Sequence, residues 1–455
     1  MMKQLASTKW TNRPRLLANI TPRLLANNTA CLLANITACL LANITLLAAL
    51  HLPSIAYADD WPQWRGPEGD NHAAEDASVP LRWDLDAGSN IRWKAKVPGR
   101  GHSTPIVIED GIFMTTSDSK AGTQSLIKVA RETGLVVDKW VIHRDSIPRR
   151  IHGKNSHASP SPVFDGERVI VPFYTDDAIW LTSMTTTGRE EWRRKVCDFK
   201  PSMFQFGYGA SPIVEDGLVI VAAEYDGPDS GLYALNARTG AQVWKVKRPR
   251  NLNFASPIAT TIAGQRQVLL AGANQINGYD PASGKELWSV DSSTEAICGT
   301  IAWDDRRVFV SGGNPKSGTW CVTADGTRKL VWENRVKCYE QSLLTIKNYV
   351  FGVADNGVAY CWRSVDGKEM WKRRLFGGGI SSSPLLVGQR IYVGSEDGTM
   401  YVFRASPDRF ELLAENNSGD SLFASPVAVD NRLFLRTAVG SGDQRQEYLV
   451  AIGEK

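Results

Sequence analysis

Apolar residues along this chain fall in short, alternating or continuous β-branched runs, separated by Gly, Asp, Asn and Pro, and few stretches carry a helical period. Residues 211 to 244 show the unit in full: SPIVEDGLVIVAAEY, a variable insertion, then GLYALNARTGAQVW. Asp216-Gly217 predicts a tight hairpin, because glycine takes a positive φ at no steric cost, and IVE and LVIVAA flank it as strands. YALN predicts a third strand, Thr239-Gly240 the next turn, and AQVW the fourth. Four antiparallel strands in a repeating unit are one blade of a β-propeller.

The repeat sets the number of blades. Trp93, Trp140, Trp192, Trp244, Trp288, Trp332 and Trp371 recur at intervals from 39 (Trp332 to Trp371) to 52 (Trp140 to Trp192), and several close a Gly-x-x-x-Trp unit: GREEW, GAQVW, GKELW and GKEMW. Most are preceded by a start at Thr104-Pro105, Ser161-Pro162, Ser211-Pro212, Ser256-Pro257, Ser383-Pro384 or Ser425-Pro426. A bulky indole at this position supplies an apolar face between neighbouring blades. Seven units end by Leu413, where Leu stands in place of Trp. The segments SPVAVDNRLFLRTAV and EYLVAI then give three strands without a closing Trp, while IRWKAKV, around Trp93, is a closing strand without its unit. Joining them gives an all-β, eight-bladed propeller of four-stranded antiparallel blades, closed by N- and C-terminal strands over residues 91–455, which leaves no free sheet edge. A seven-bladed ring with a separate terminal hairpin is the main alternative.

Residues 1–58 carry Lys3, Lys9, Arg13, Arg15 and Arg23, no acid, an apolar stretch and the triplet Ala56-Tyr57-Ala58. This pattern predicts a signal peptide cleaved before Asp59, hence an exported, periplasmic or extracellular product with no transmembrane segment left. Leu16, Leu24, Leu32 and Leu40 mark a repeated LLANIT-like word, a low-complexity expansion of the apolar region. Ile36-Thr37-Ala38-Cys39 also resembles a lipobox, so a lipid anchor at Cys39 is the alternative. Residues 59–90 form an N-terminal extension, and its WPQWRGP (61–67) predicts a plug whose two Trp pack against the ring, with a ligand-binding role as the alternative.

Removing the leader changes the charge. The whole chain has 52 Lys and Arg against 48 Asp and Glu; losing the five leader cations makes the rest near neutral. That excludes the basic surface a phosphate backbone requires, and no nucleic-acid partner is expected. Cys197, Cys298, Cys321, Cys338 and Cys361 remain, an odd number that leaves at least one thiol unpaired, with any pairing among them open. None forms a C-x-x-C or C-x-x-C-H unit, so no metal or attached haem is predicted.

The units SSPLLVGQRIYVGSEDGTMYVFRA (382–405) and LYALNARTGAQVW (232–244) resemble the pyrroloquinoline-quinone repeat, a family that includes quinoprotein alcohol dehydrogenases and the BamB lipoprotein of the outer-membrane assembly machine. WPQWRGP and KNSHASP (154–160) resemble signatures of exported propellers abundant in planctomycetes. The resemblance implies a fold more firmly than an activity. The dehydrogenases hold their quinone beneath adjacent disulfide-bonded cysteines, with a calcium ion and an Asp base. This chain has no Cys-Cys pair, so no cofactor is predicted and quinone binding is not expected.

Loops that start the innermost strands converge on the channel of a propeller. His102, Lys154, Asn155, His157, Tyr208, Asn253, Glu295, Glu340 and Gln341 stand there, and together they predict a polar ligand site at the channel mouth; capping of strands and a hydrated channel is the structural alternative. The Phe204-Gln205-Phe206-Gly207-Tyr208 and Phe376-Gly377-Gly378-Gly379 insertions offer aromatic, flexible grips. His143-Arg144-Asp145 lacks the Asn and Gly-rich loop of a kinase, and Asp84-Leu85-Asp86-Ala87-Gly88 lacks the later acid of a calcium loop. No catalytic residues emerge. The expected function is a monomeric, non-enzymatic scaffold in the cell envelope, BamB-like, binding an envelope protein or polysaccharide; the alternative is a carbohydrate- or quinone-binding enzyme using the channel mouth.

Overall fold

A computed structural model describes residues 60–454. The expected leader, its cleavage after Ala58 and the lipid anchor at Cys39 lie outside the described residues. Eight separate four-stranded antiparallel sheets follow one another as the blades of a propeller. Seven are continuous in sequence: blade 1 (Ile106–Arg144), blade 2 (Val163–Asp198), blade 3 (Ile213–Lys247), blade 4 (Ile258–Val290), blade 5 (Ala302–Asn334), blade 6 (Leu344–Arg374) and blade 7 (Leu385–Asn417). Among the described residues the only helix is one 3-10 turn, Gly442–Gln444.

Blade 8 takes three strands from Val427–Ile452 and its outer strand from Ile91–Val97. Trp93 pairs with Ala451 and Lys96 with Tyr448, so both ends of the propeller sequence share one ladder. The buried guanidinium of Arg436 in this blade reaches Ser103 Oγ at 2.8 Å and the Thr115 carbonyl at 2.7 Å, tying blade 8 to blade 1.

Burial explains the strand sequences. Second strands such as RVIVPFYT (168–175) are sandwiched between neighbouring blades and are almost continuously buried, whereas the outer strand EEWRRKVCD (190–198) buries little beyond Trp192, Val196 and Cys197. The Gly-x-x-x-Trp spacing has a specific cause. The Trp192 indole leaves its own blade and donates to the Ala237 carbonyl of the next at 2.9 Å. There it lies against Gly240, where a Cβ would come within 2.7 Å of the indole and φ is +69°. Trp244 with Pro281 and Gly284, and Trp332 with Ser364 and Gly367, repeat the arrangement. A glycine is needed for both the left-handed turn and the approaching ring.

Two departures stand out. The outer-strand register aligns Ala414, not Leu413, with the tryptophan position of blade 7, since Ala414 pairs with Val402 as Trp371 pairs with Cys361. Trp288 does not dock on blade 5 but turns back to Gln267 Oε1, 2.6 Å away in its own blade.

Candidate ligand site in the central channel

The Ser-Pro and Thr-Pro starts form a belt around the channel. The backbone N–H of each start donates to the hydroxyl of the next: Thr104 to Ser161 (3.0 Å), Ser161 to Ser211 (2.9 Å) and Ser211 to Ser256 (2.8 Å). The run resumes from Thr300 to Ser342 (2.9 Å), to Ser383 (2.9 Å), to Ser425 (2.9 Å) and back to Thr104 (3.1 Å). The proline after most starts has no N–H to compete for these acceptors. Only the link from Ser256 to Thr300 is missing among the described residues, and there Trp64 Nε1 donates to Thr300 Oγ1 at 2.8 Å.

Trp64 belongs to the expected plug, and the extension does close one end of the ring. Trp61 is buried and exchanges backbone hydrogen bonds with Val107. The Arg65 guanidinium, fully enclosed, satisfies the carbonyls of Gly69, Asp70 and Leu343. Burial pulls its pKa down to about 10, and three carbonyls offset part of that desolvation. Further along, Trp83 donates to Ser418 Oγ at 3.0 Å and stacks on Tyr392.

Above Trp64 lies a cavity of about 250 Å³, walled by Thr104, Ser161, Ser211, Ser256 and Ser425 of the belt and by Phe206, Phe254 and Phe423. Thr300, Ser342 and Ser383 are not among its wall residues, and Thr300 is the one the indole bonds. His102 stacks on Phe423 with centroids 4.4 Å apart; burial first, then Arg100 and Arg436, hold its imidazole well below the usual histidine range, and so neutral. Cys298 is a lone wall thiol that burial pushes up.

A latch spans the mouth. Lys154 Nζ, from the blade 1–2 loop, lies 2.8 Å from Glu396 Oε1 and 3.5 Å from Glu340 Oε1. Ser381 Oγ lies within hydrogen-bond distance of both carboxylates and has one proton to donate between them. Burial alone would lower the Lys154 pKa, but the hydrogen bond to Glu396 and the two negative charges outweigh it, so the ammonium stays charged.

Of the nine residues expected at the mouth, His102, Lys154, Asn155 and Glu340 line this cavity. Asn155 also holds the Phe206 carbonyl at 2.6 Å. Glu295 lines a neighbouring cleft beside Phe204 and Tyr339. His157 is half-buried, and its carbonyl accepts from Gln124. Tyr208 is buried and donates to the Ala222 carbonyl; Asn253 bridges Glu224 and the Ala271 carbonyl; Gln341 donates to the Val353 carbonyl. These last three cap strands, as the structural alternative has it. Trp64, the belt hydroxyls, Phe254, Phe423, Ser381 and Glu396 are the additions. Among the described residues no three His, Cys, Asp or Glu side chains converge to hold a metal ion, and all five described cysteines are unpaired.

Comparison with known proteins places this architecture. A family model described as outer membrane protein assembly factor BamB matches residues 81–201, 149–373 and 347–407. BamB of Bordetella pertussis is 22% identical over 80% of this chain and 86% of its own length. BamB of Burkholderia pseudomallei is 26% identical over 39% of the chain, a match spanning only 47% of that protein. A tetrathionate hydrolase of Acidithiobacillus ferrooxidans matches over 38% of each chain at 26% identity. In solved structures the fold is that of BamB from Moraxella catarrhalis (TM-score 0.57, 16% identity, 79% of this chain and 98% of that one). It is equally that of a europium-containing methanol dehydrogenase (TM-score 0.60, 10% identity, 87% and 98%). With matched segments running from residue 81 to residue 407, the chain belongs to the BamB-type family of PQQ-like repeat propellers.

Proposed function

We propose that this protein is an exported, non-enzymatic scaffold of the cell envelope that binds a protein partner through its loop-bearing face, in the manner of an outer-membrane protein assembly factor. The observation that carries this reading is the tip of the 200–207 loop. Met203 and Phe204 are 59% and 53% exposed beside the channel mouth. Phe204 holds a φ of +50°, a costly backbone for an aromatic residue. The loop is fixed beneath it by Asp226, which accepts from the backbone N–H groups of Ser202 and Met203. Exposed aromatic and Met side chains on a braced loop are the composition of interface hot spots. The test is a photo-crosslinking residue at position 204 in the native host, with the envelope fraction analysed by mass spectrometry. A specific protein adduct is expected, absent when the crosslinker is at Asp86 on the extension. Equal labelling from both positions overturns the reading.

A second reading, an enzyme acting at the channel mouth, is favoured by the cavity and by the tetrathionate hydrolase and methanol dehydrogenase likenesses. It lacks a reactive pair: the Cys298 thiol is driven toward its neutral form by burial, and Lys154 is committed to two carboxylates. A metal-bound quinone does not suit the donor set, because the described residues bring no three His, Cys, Asp or Glu ligands together and hold no adjacent cysteines.

A further inference from the structure

The belt hydroxyls carry unused chemistry. Thr104, Ser161, Ser211, Ser256 and Ser425 each accept a backbone N–H. None of them donates its own O–H to a protein acceptor among the described residues. Five donors therefore face one cavity without partners, and a buried donor left unmade is costly. His102, another wall residue, has its Nε2 buried and unpartnered. At the mouth the requirement is reversed, since Glu340 offers a carboxylate acceptor. On one side the cavity has an indole, and on others phenylalanine rings.

Charge narrows the ligand. The formal charges of the wall are Lys154 and Glu340, and a second carboxylate, Glu396, lies against the same ammonium at 2.8 Å, so the one charge in excess at the mouth is negative. An anion is repelled there, and the aromatic and hydroxyl remainder of the wall offers an ion nothing to offset its desolvation. A neutral molecule fits if it accepts hydrogen bonds at one rim, donates at another and shows an apolar face. About 250 Å³ is at the small end of ligand cavities, which run from about 300 Å³ for drug-sized molecules, and suits one ring.

We propose that the part of the hydroxyl belt that walls this cavity binds a neutral sugar ring, with its C–H face on the indole, its hydroxyl oxygens on the belt donors and a hydroxyl proton on Glu340. The ring is a free monosaccharide or the terminal residue of an envelope glycan. This site lies inside the channel and is independent of the scaffold reading, which concerns the exposed loop tip.

The test is ligand-observed NMR and calorimetry on the full chain with neutral hexoses, N-acetylhexosamines and short oligosaccharides, and with sulfate and acetate as charged controls. Two variants locate the site. At Gly209, in the cavity wall, an added Cβ would meet only Phe254, at 3.9 Å, so Gly209→Leu fills space without breaking a hydrogen bond. Glu340→Gln removes the charged acceptor. Saturable binding of at least one neutral sugar is expected, weakened about tenfold or more by each variant, consistent with loss of one charge-assisted hydrogen bond or of shape fit, while the melting temperature stays near that of the parent. Binding of monosaccharides marks a free-sugar site, and binding of oligosaccharides alone a glycan end; either supports the proposal. Binding by no neutral sugar, preference for the anions, or sugar affinity unchanged in both folded variants overturns it.

Discussion

Trp64 Nε1 donates to Thr300 Oγ1 at 2.8 Å, at the one link of the hydroxyl belt that the backbone of Ser256 does not make. The same blade 4–5 junction is where Trp288 abandons the docking used by other repeats. Trp64→Ala should therefore remove a packed ring as well as a hydrogen bond, and lower stability by about 2–3 kcal/mol, below the range for a fully enclosed Trp because this one borders a cavity. Thr300→Val, which removes only the bond, should cost about 1 kcal/mol. Denaturant midpoints of the two variants measure the difference.

Glycines 217 and 240 separate backbone strain from indole docking. Both have positive φ, +75° and +69°, but an added Cβ meets nothing within 4 Å at Gly217 and Trp192 within 2.7 Å at Gly240. Gly217→Ala should cost about 1 kcal/mol from the left-handed backbone alone. Gly240→Ala should cost about 1–3 kcal/mol more through overpacking. Equal losses in chemical denaturation would remove the indole from the explanation of the repeat.

The latch is positional rather than stabilising. Lys154 and its two carboxylates are partly exposed, so Lys154→Met should change global stability by less than about 1 kcal/mol. Hydrogen exchange should nevertheless quicken in residues 152–157, 338–341 and 395–398, whose loops the ammonium joins across the mouth.

Acid should destabilise the protein partly through His143. Burial, then Arg193, lowers its pKa from 6.5 to about 4, so the unfolded chain binds this proton more tightly than the folded one. The stability it contributes is complete above about pH 6.5 and is lost as pH falls toward about 4, up to about 3 kcal/mol. His102 acts in the same direction. Urea midpoints between pH 7 and 4 should fall less steeply for His143→Phe than for the parent.

The thiols should be silent in the folded state. Cys321 and Cys338 are fully buried, and burial holds the Cys197 and Cys361 thiols up at about 12. A thiol reagent at pH 8 should label these five described cysteines only in denaturant, with Cys298, the one in the cavity wall, the first to react on partial unfolding.

The chain order of strands, the eightfold count and the closure by Trp93 are readable from residues alone, because alternation, turn glycines and a spaced indole are local signals. So is the packing of the two WPQWRGP tryptophans against the ring. The sequence could mark Ser161, Ser211 and Ser256 as blade starts but not as a belt, since each hydrogen bond joins residues some 45 to 50 positions apart whose contact exists only once the ring has closed. Lys154 and Glu340 were visible as polar residues near strand starts; Glu396, within blade 7, was not, and only the closed ring brings it 2.8 Å from Lys154. Tyr208, Asn253 and Gln341 carry the same local signature as the wall residues, and tertiary packing turns them onto backbone carbonyls instead. Periodicity determined the architecture because each blade repeats one local rule; the site was decided by ring closure, because its groups come from blades distant in sequence and meet only across the channel.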